Sequence, residues 1–111
     1  MNYVDLNTEE SYDIIQKNKG NRDFVILDVR TPEEYNTVHI EYAINKNYNS
    51  SEFKEMLATL DTDKTYIVYC RSGGRSSNAL KVMKEMGFKN VYHMLGGITG
   101  WLNAKYPTVG Y

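Results

Sequence analysis

The single cysteine of the chain, Cys70, begins a short polar segment that carries two arginines and two adjacent glycines. From residue 70 the sequence reads Cys-Arg-Ser-Gly-Gly-Arg, and Ser76 follows. A thiol acts as a nucleophile when it ionises, and nearby arginines and backbone N–H groups favour the thiolate. Adjacent glycines allow a tight turn in which successive N–H groups point at one bound atom. The spacing therefore predicts that Cys70 is a nucleophile in an anion-binding loop.

The segments on either side of this loop predict a strand before it and a helix after it. Residues 65–69 are β-branched and aromatic without a breaker, which is typical of a buried strand. From residue 76 onward, apolar residues keep the spacing of one helical face, at Ala79, Val82, Met83 and Met86. A strand-to-helix turn lies at the positive end of the helix dipole, which favours a negative charge there.

The rest of the chain alternates predicted strands with predicted helices. Strands are expected at residues 3–6, 24–27 and 90–95, with a short one near Ala43. Helices are expected after a cap at Asn7 or Thr8, after a capping box at Thr31 and Glu34, at residues 53–60 and at residues 98–105. This alternation predicts an α/β fold of three layers, with a mainly parallel central sheet of about five strands and helices on both faces. Such sheets bind ligands at the carboxyl ends of their strands, where the Cys70 loop is expected.

Composition and charge exclude several classes of protein. A chain of 111 residues is the size of one domain, and its net charge of −1 argues against nucleic-acid binding. No apolar run is long enough to span a membrane, and the first residues lack the pattern of a secretory signal. One cysteine cannot form an internal disulfide, and a free thiol fits the reducing cytosol. From these features we expect a cytoplasmic protein without nucleic-acid or membrane partners. We expect a monomer, because no exposed apolar stripe stands out.

Three other polar residues are candidates for the neighbourhood of the loop. Asp28 and Arg30 follow a predicted strand, where they either touch the pocket or form a structural ion pair. His39 is either a general base or a packed histidine whose ring is satisfied. His93, inside a strand pattern, is interpreted as structural. The spacing of cysteine and histidines gives no metal-ligand pattern, and Gly96 and Gly97 do not belong to a nucleotide loop, so we expect no metal and no cofactor.

Three stretches together resemble the rhodanese family of sulfurtransferases. They are residues 26–30 with 33–35, 39–40 and Ala43; residues 70–76; and residues 95–98 with Trp101. They follow the family's order along nearly the whole chain, so the resemblance implies one rhodanese-like domain over residues 1–111. The chain departs from the family at Val38 and Tyr42, where glycine is usual. We expect the backbone to differ there, or to tolerate a side chain.

The resemblance implies a reaction as well as a fold. A cysteine of this family takes a sulfane sulfur from a small anionic donor, such as thiosulfate or another persulfide, and passes it to a thiol or cyanide. Cys70 matches that cysteine. The matching substrate-binding residues are Arg71, Ser72, Gly73, Gly74 and Arg75, and the candidate supporting residues are Asp28, Arg30 and His39. Without a second cysteine, the acceptor must be an external thiol, cyanide or a partner protein.

Other interpretations of the loop stay open. Phosphatases and arsenate reductases of a related fold have one more residue between cysteine and arginine, whereas four residues separate Cys70 from Arg75 here. A shorter loop makes a smaller cradle, suited to one sulfur atom rather than a tetrahedral oxyanion. A phosphatase or arsenate reductase is one alternative, and a non-catalytic sulfur carrier or sensor is another. In the simplest alternative, Cys70 is an inert buried thiol and Arg75 a surface arginine.

Overall fold

Five strands alternate with five helices along the chain. The structure is a computed structural model that describes residues 1–110. In order, the elements are β1 (Asn2–Leu6), α1 (Thr8–Lys17), β2 (Phe24–Asp28), α2 (Pro32–Thr37), β3 (Ile44–Asn45), α3 (Phe53–Ala58), β4 (Thr65–Tyr69), α4 (Gly74–Glu85), β5 (Asn90–Met94) and α5 (Gly97–Asn103). None of the helices within those residues is both long and apolar enough to cross a membrane.

The five strands form one parallel sheet in the order β1-β5-β4-β2-β3. The expected α/β fold with a mainly parallel sheet is confirmed. Strand β4 lies in the centre, between β2 and β5, and its neighbours end at the same edge of the sheet. Val68 of β4 is the register partner of His93, and His93 is in turn the partner of Asp5 in β1. The Cys70 loop therefore lies where three further strand ends can contribute side chains.

The core consists of two hydrophobic clusters, one on each face of the sheet. Leu57 of α3 and Met83 of α4 are buried in one cluster, and Ile15 of α1 and Trp101 of α5 in the other. Residues 66–69 alternate between the two clusters and are almost fully buried. This two-sided burial explains why β4 reads as a continuous apolar run rather than an alternating one.

Local sequence signals determine the starts of α1 and α2. Asn7 caps α1 through a capping box with Glu10, and Thr31 caps α2 through one with Glu34. Helix α4 begins earlier than the apolar pattern predicted, at Gly74, so that Arg75 lies in its first turn. The earlier start shortens the loop itself to four residues after β4, at positions 70–73.

The two departures from the resembled family have different structural consequences. Val38 has extended backbone (φ −160°), which any residue adopts, so glycine is not required there. Tyr42 has φ +71° and an exposed side chain, a left-handed conformation that glycine adopts with less strain. Of these two positions, Tyr42 alone carries a side chain in a backbone conformation that favours glycine, as expected.

Candidate active site

The Cys70 loop connects the carboxyl end of β4 to the amino end of α4. Cys70 directly follows the last residue of β4, and Gly73 caps α4 with φ +120°. A side chain at Gly73 would be strained by that backbone and would meet the carbonyl oxygen of Leu95 at 3.3 Å. Cys70 itself is 1% exposed, whereas Arg71 and Ser72 are exposed. The loop thus presents polar residues to solvent and keeps its sulfur on the inside.

The sulfur of Cys70 is held by contacts from its own loop and from the first turn of α4. The N–H of Gly73 donates to Sγ at 3.1 Å, and the hydroxyl oxygen of Ser76 lies 3.3 Å from Sγ. Burial raises the pKa of Cys70, but the hydrogen bonds from Ser76, Gly73 and Ser72 together lower it below its ordinary value. The geometry is that of an anion cradle that favours the thiolate.

The first turn of α5 fixes the loop from behind. The N–H of Ile98 donates to the Cys70 carbonyl at 2.9 Å, and that of Thr99 donates to the Arg71 carbonyl at 3.1 Å. Gly97 has φ +59°, and a Cβ there would lie 2.5 Å from the Arg71 oxygen and 2.6 Å from the Cys70 oxygen. Only glycine permits this close approach. The Gly96-Gly97 turn of the sequence therefore has a structural role at the site: it lets N–H groups of α5 bind the carbonyl groups of the loop.

A second group of side chains lies on the inner side of the sulfur. The hydroxyl of Ser76 is 2.7 Å from Nε2 of His93, and Nδ1 of His93 is 3.6 Å from a carboxylate oxygen of Asp5. Ser76 is fully buried and His93 is 6% exposed. Burial lowers the pKa of His93 while Asp5 raises it, and the pKa lies below its ordinary value. Cys70, Ser76, His93 and Asp5 thus form one connected series.

The strand pattern around His93 predicts a structural residue, although its position near the end of a strand is also a signal for the site. His93 lies one residue before the end of β5, and β5 is the parallel neighbour of β4, which ends at Cys70. The carboxyl ends of parallel neighbours meet at one edge of a sheet. The sequence alone did not establish that β5 and β4 are neighbours.

Arg75 faces the loop but already has an ionic partner. Its guanidinium makes two hydrogen bonds to the carboxylate of Glu34 in α2, at 2.7 and 3.0 Å. These bonds, with those from Thr31, lower the pKa of Glu34 to about 2 against the opposing effect of burial. The pKa of Arg75 is raised, mainly by Glu34 and also by the negative charge of Cys70. Arg75 therefore belongs to the electrostatic surroundings of the sulfur while it joins α4 to α2.

A cleft of about 440 Å³ lies beside the loop. Arg30, Glu34 and Arg71 contribute charged side chains to its wall, and Thr99 and Leu102 of α5 form the other side. Arg71 is exposed. An anion that enters this cleft would meet the guanidinium of Arg71 first. Of the predicted substrate-binding residues, Arg71 lines this cleft.

The three candidate supporting residues separate into two groups. Arg30 is buried and binds Asp28 through Nε and Nη2, with the shortest distance 2.7 Å, and its Nη2 also donates to the Val38 carbonyl. The pair thus fastens the segment after α2 to the end of β2, and Arg30 reaches the cleft wall. His39 stacks on Tyr35 and forms a β-bridge with Val109, away from the bonds that hold Cys70. Its predicted role near the loop stays a prediction.

A larger cavity, of about 500 Å³, lies elsewhere in the molecule. It is lined mainly by apolar side chains, among them Ile15, Phe24 and Trp101, and Tyr42 lies at its edge. No residue of the Cys70 loop lines it. Within residues 1–110, no group of three or more His, Cys, Asp or Glu side chains could hold a metal ion.

Comparisons with known proteins find relatives along most of the chain. The rhodanese-like domain family matches residues 10–104. The thiosulfate sulfurtransferase GlpE of Coxiella burnetii is 32% identical over 108 residues, which cover 97% of this chain and 94% of GlpE. The probable adenylyltransferase/sulfurtransferase MoeZ of Mycobacterium tuberculosis is 40% identical over 88 residues, 78% of this chain but only 22% of MoeZ.

Solved structures show the same architecture. The crystal structure of a rhodanese-related protein from Thermoplasma volcanium superimposes with a TM-score of 0.81 at 33% identity, over 96% of this chain and 98% of that one. The match of the family to most of the chain and the likeness to GlpE along nearly its full length lead to one conclusion: the chain belongs to the rhodanese-like domain family.

Proposed function

We propose that this protein is a sulfurtransferase that moves a sulfane sulfur from thiosulfate, or another persulfide donor, to an external acceptor through a persulfide on Cys70. The main support is the geometry of the loop. The Gly73 N–H donates to the Cys70 sulfur at 3.1 Å, and four residues separate Cys70 from Arg75. A loop of this length suits one additional sulfur atom better than a tetrahedral oxyanion. The likeness to the thiosulfate sulfurtransferase GlpE supports the same reaction.

The first half of the proposed reaction loads the cysteine. The Cys70 thiolate attacks the outer sulfur of thiosulfate, forming a Cys70–sulfur bond. The bond between the outer and the central sulfur breaks, and its electron pair leaves with sulfite. The donor enters through the cleft beside the loop, where Arg71 attracts the anion. The terminal sulfur of the persulfide is negatively charged, and the N–H groups of the loop stabilise it.

The second half of the reaction returns the cysteine to its starting state. A thiolate or cyanide attacks the terminal sulfur, and Cys70 leaves with the electron pair of the broken sulfur–sulfur bond. Because residues 1–111 contain one cysteine, no second thiol of the chain can take over this step. The acceptor is a small thiol, cyanide or a partner protein. We propose that the protein works without a cofactor, as a cytoplasmic monomer.

Intact mass spectrometry tests this function. Wild-type protein incubated with thiosulfate should gain the mass of one sulfur atom, and addition of cyanide or a thiol should remove it. Cys70→Ala should gain nothing. Failure of the wild type to gain sulfur from thiosulfate or any other sulfane donor would overturn the proposal. Hydrolysis of an aryl phosphate or reduction of arsenate that depends on Cys70, without a sulfur adduct, would favour the alternative enzymes instead.

A further inference from the structure

A series of hydrogen-bonding groups leads from the buried sulfur to the protein surface. The Cys70 sulfur is 3.3 Å from the Ser76 hydroxyl oxygen, which is 2.7 Å from Nε2 of His93. On the far side of the ring, Nδ1 lies 3.6 Å from Asp5, whose side chain is 67% exposed. The first three groups are buried and the last meets water. The arrangement therefore connects a sulfur that is 1% exposed with bulk solvent.

The chemistry of the donors and acceptors gives this series a direction. A neutral imidazole has one N–H and one lone pair, and a nearby carboxylate favours the N–H on its own side. With Nδ1–H directed at Asp5, Nε2 carries the lone pair. The Ser76 hydroxyl can donate to Nε2 at 2.7 Å or to the Gly73 carbonyl at 3.2 Å, and the shorter contact is with His93. The Ser76 oxygen is then an acceptor for the proton of the Cys70 thiol.

We propose that His93 is a positioning residue for the sulfur-transfer reaction and acts through Ser76 as the group that holds the proton of Cys70. This inference rests on the proposed function for its role in catalysis, but the proton transfer itself does not depend on a sulfur donor. The thiol proton passes to the Ser76 oxygen while the Ser76 hydroxyl proton passes to Nε2. A thiol and a neutral imidazole become a thiolate and an imidazolium, so charge and protons balance without any further reactant.

The same contact also matters after loading. Once Nε2 carries the proton, it donates to the Ser76 oxygen, and the Ser76 hydroxyl is free to donate to Sγ. When an acceptor attacks the terminal sulfur, Cys70 leaves as a thiolate and receives that hydrogen bond. His93 therefore assists both the formation of the nucleophile and the departure of the same sulfur. Without the imidazole, Ser76 retains a donor but has no group to take its proton.

The charged surroundings of His93 favour this transfer. Among residues 1–110, Asp5 of β1 is the charged side chain beside the His93 ring, and its carboxylate stabilises an imidazolium. From β4, the register partner of His93 is Val68, which is apolar, and α4 contributes the neutral hydroxyl of Ser76. Burial disfavours a positive charge on the His93 ring. His93 therefore holds the proton only while the negative charge of the Cys70 thiolate lies two hydrogen bonds away.

The rate of Cys70 alkylation by iodoacetamide, measured against pH, tests the proposal without any sulfur donor. In wild type the apparent pKa of Cys70 should lie below the free-thiol value of about 8.5. His93→Gln retains a polar side chain but cannot hold the proton, so we expect the apparent pKa to rise by about one unit. That rise corresponds to roughly a tenfold slower reaction at pH 7. Above about pH 10, where the thiol ionises unaided, both proteins should react at similar rates.

Two further variants separate a specific role from general disturbance. Ser76→Ala should raise the pKa as His93→Gln does, and the double variant should raise it little further, because both changes interrupt one series. Ser77→Ala removes the hydroxyl of the next residue in α4, which is exposed, and should leave the alkylation profile of Cys70 unchanged. An unchanged profile in a folded His93→Gln protein would overturn the proposal.

A titration of the His93 ring by NMR keeps the proposal testable if His93→Gln does not fold. Coupled groups affect each other reciprocally, so replacing Cys70 with alanine should lower the pKa of His93. Identical His93 titration curves in wild type and Cys70→Ala would overturn the inference. Failure of the wild type to gain sulfur, by contrast, would remove the sulfurtransferase proposal and leave the alkylation and NMR results to decide the proton transfer.

Discussion

The two sides of the Cys70 loop are held by different kinds of interaction. On the inner side, Ser76 and His93 are buried, and Gly97 lies against the loop's carbonyl groups with no space for a methyl group. On the outer side, Arg75 and Glu34 form an ion pair whose side chains are 24% and 32% exposed. Buried contacts depend steeply on geometry, whereas partly exposed charges act over longer distances and are screened by salt. We therefore expect the inner side to set the acidity of the sulfur and the outer side to influence which anions approach it.

The two arginine–carboxylate pairs near the loop show the same difference. Asp28 and Arg30 are almost completely buried, with 0% and 4% of their side chains exposed, and Arg30 also binds the Val38 carbonyl. Loss of either partner would leave a buried charge, so this pair is structural even though Arg30 reaches the cleft. The Arg75–Glu34 pair is accessible to water, and its loss would alter the charge near the sulfur more than the stability of the fold.

The largest effect is expected from Gly97→Ala on the inner side. The added Cβ would lie 2.5 Å from the Arg71 oxygen, and the residue would keep a left-handed backbone. We expect a loss of about 3 kcal/mol in the free energy of unfolding, from backbone strain together with overpacking. The loop must also shift, so sulfur loading from thiosulfate should slow at least tenfold. Chemical denaturation and timed intact-mass measurements check the two effects.

Gly74→Ala is the matched control for stability. Gly74 lies in the same segment, but a Cβ there would meet nothing within 4 Å, and its φ is not positive. Alanine in the first turn of α4 should preserve or slightly raise the free energy of unfolding. Equal destabilisation by the two substitutions would show that the loop is sensitive to any side chain, and the comparison between its two sides would fail.

A smaller effect is expected from Glu34→Gln on the outer side. Removing the carboxylate leaves the charge of Arg75 uncompensated beside the sulfur, so thiosulfate should load about twofold to threefold faster at low donor concentration. Stability should fall by about 0.5–1 kcal/mol, as is usual for a partly exposed ion pair. The gain in rate should disappear at high salt, because screening weakens the attraction of the anion.

Glu33→Gln provides the control for Glu34→Gln. Glu33 is the neighbouring carboxylate of α2 and is exposed, so the substitution removes the same charge without releasing Arg75. Loading rates should remain close to those of wild type. If both variants accelerate loading equally, net charge rather than the Arg75–Glu34 pair controls the approach of the donor.

The smallest effect concerns the pH dependence of stability. The pKa of Glu34 is about 2 in the folded protein against an ordinary value of 4.5, because Arg75 and Thr31 bind the carboxylate. A depressed pKa contributes stability above the ordinary value, and this contribution is lost as pH falls from about 4.5 towards 2. The free energies of unfolding of wild type and Glu34→Gln should therefore differ at pH 6 and converge near pH 2. A constant difference over this range would contradict the assignment.

Much of the fold follows from short-range signals in the sequence. The apolar run at residues 65–69, the capping box at Thr31 and the glycines after Cys70 each determine a local structure, and the structure contains all three. What could not be predicted depends on strand order and on distant partners. Arg75 meets Glu34, 41 residues earlier, and Ser76 meets His93, 17 residues later. The left-handed backbone of Tyr42 follows from the family resemblance, in which glycine is usual at this position, and not from its side chain type, which does not favour that conformation.

The pairing of β1 with β5 has a consequence for the order in which the site forms during folding. Asp5 and His93 are register partners, and β5 is the strand with which β1 pairs, so β1 has no neighbour in the sheet until β5 has formed. Contacts between such distant parts of a chain form late, because a long segment must first be ordered to close the loop between them. A growing chain can already contain Cys70, β4 and the start of α4, and its thiol would then behave as an ordinary cysteine. If His93 holds the proton of Cys70 as proposed, the full acidity of the thiol therefore develops only after β5 has joined the sheet.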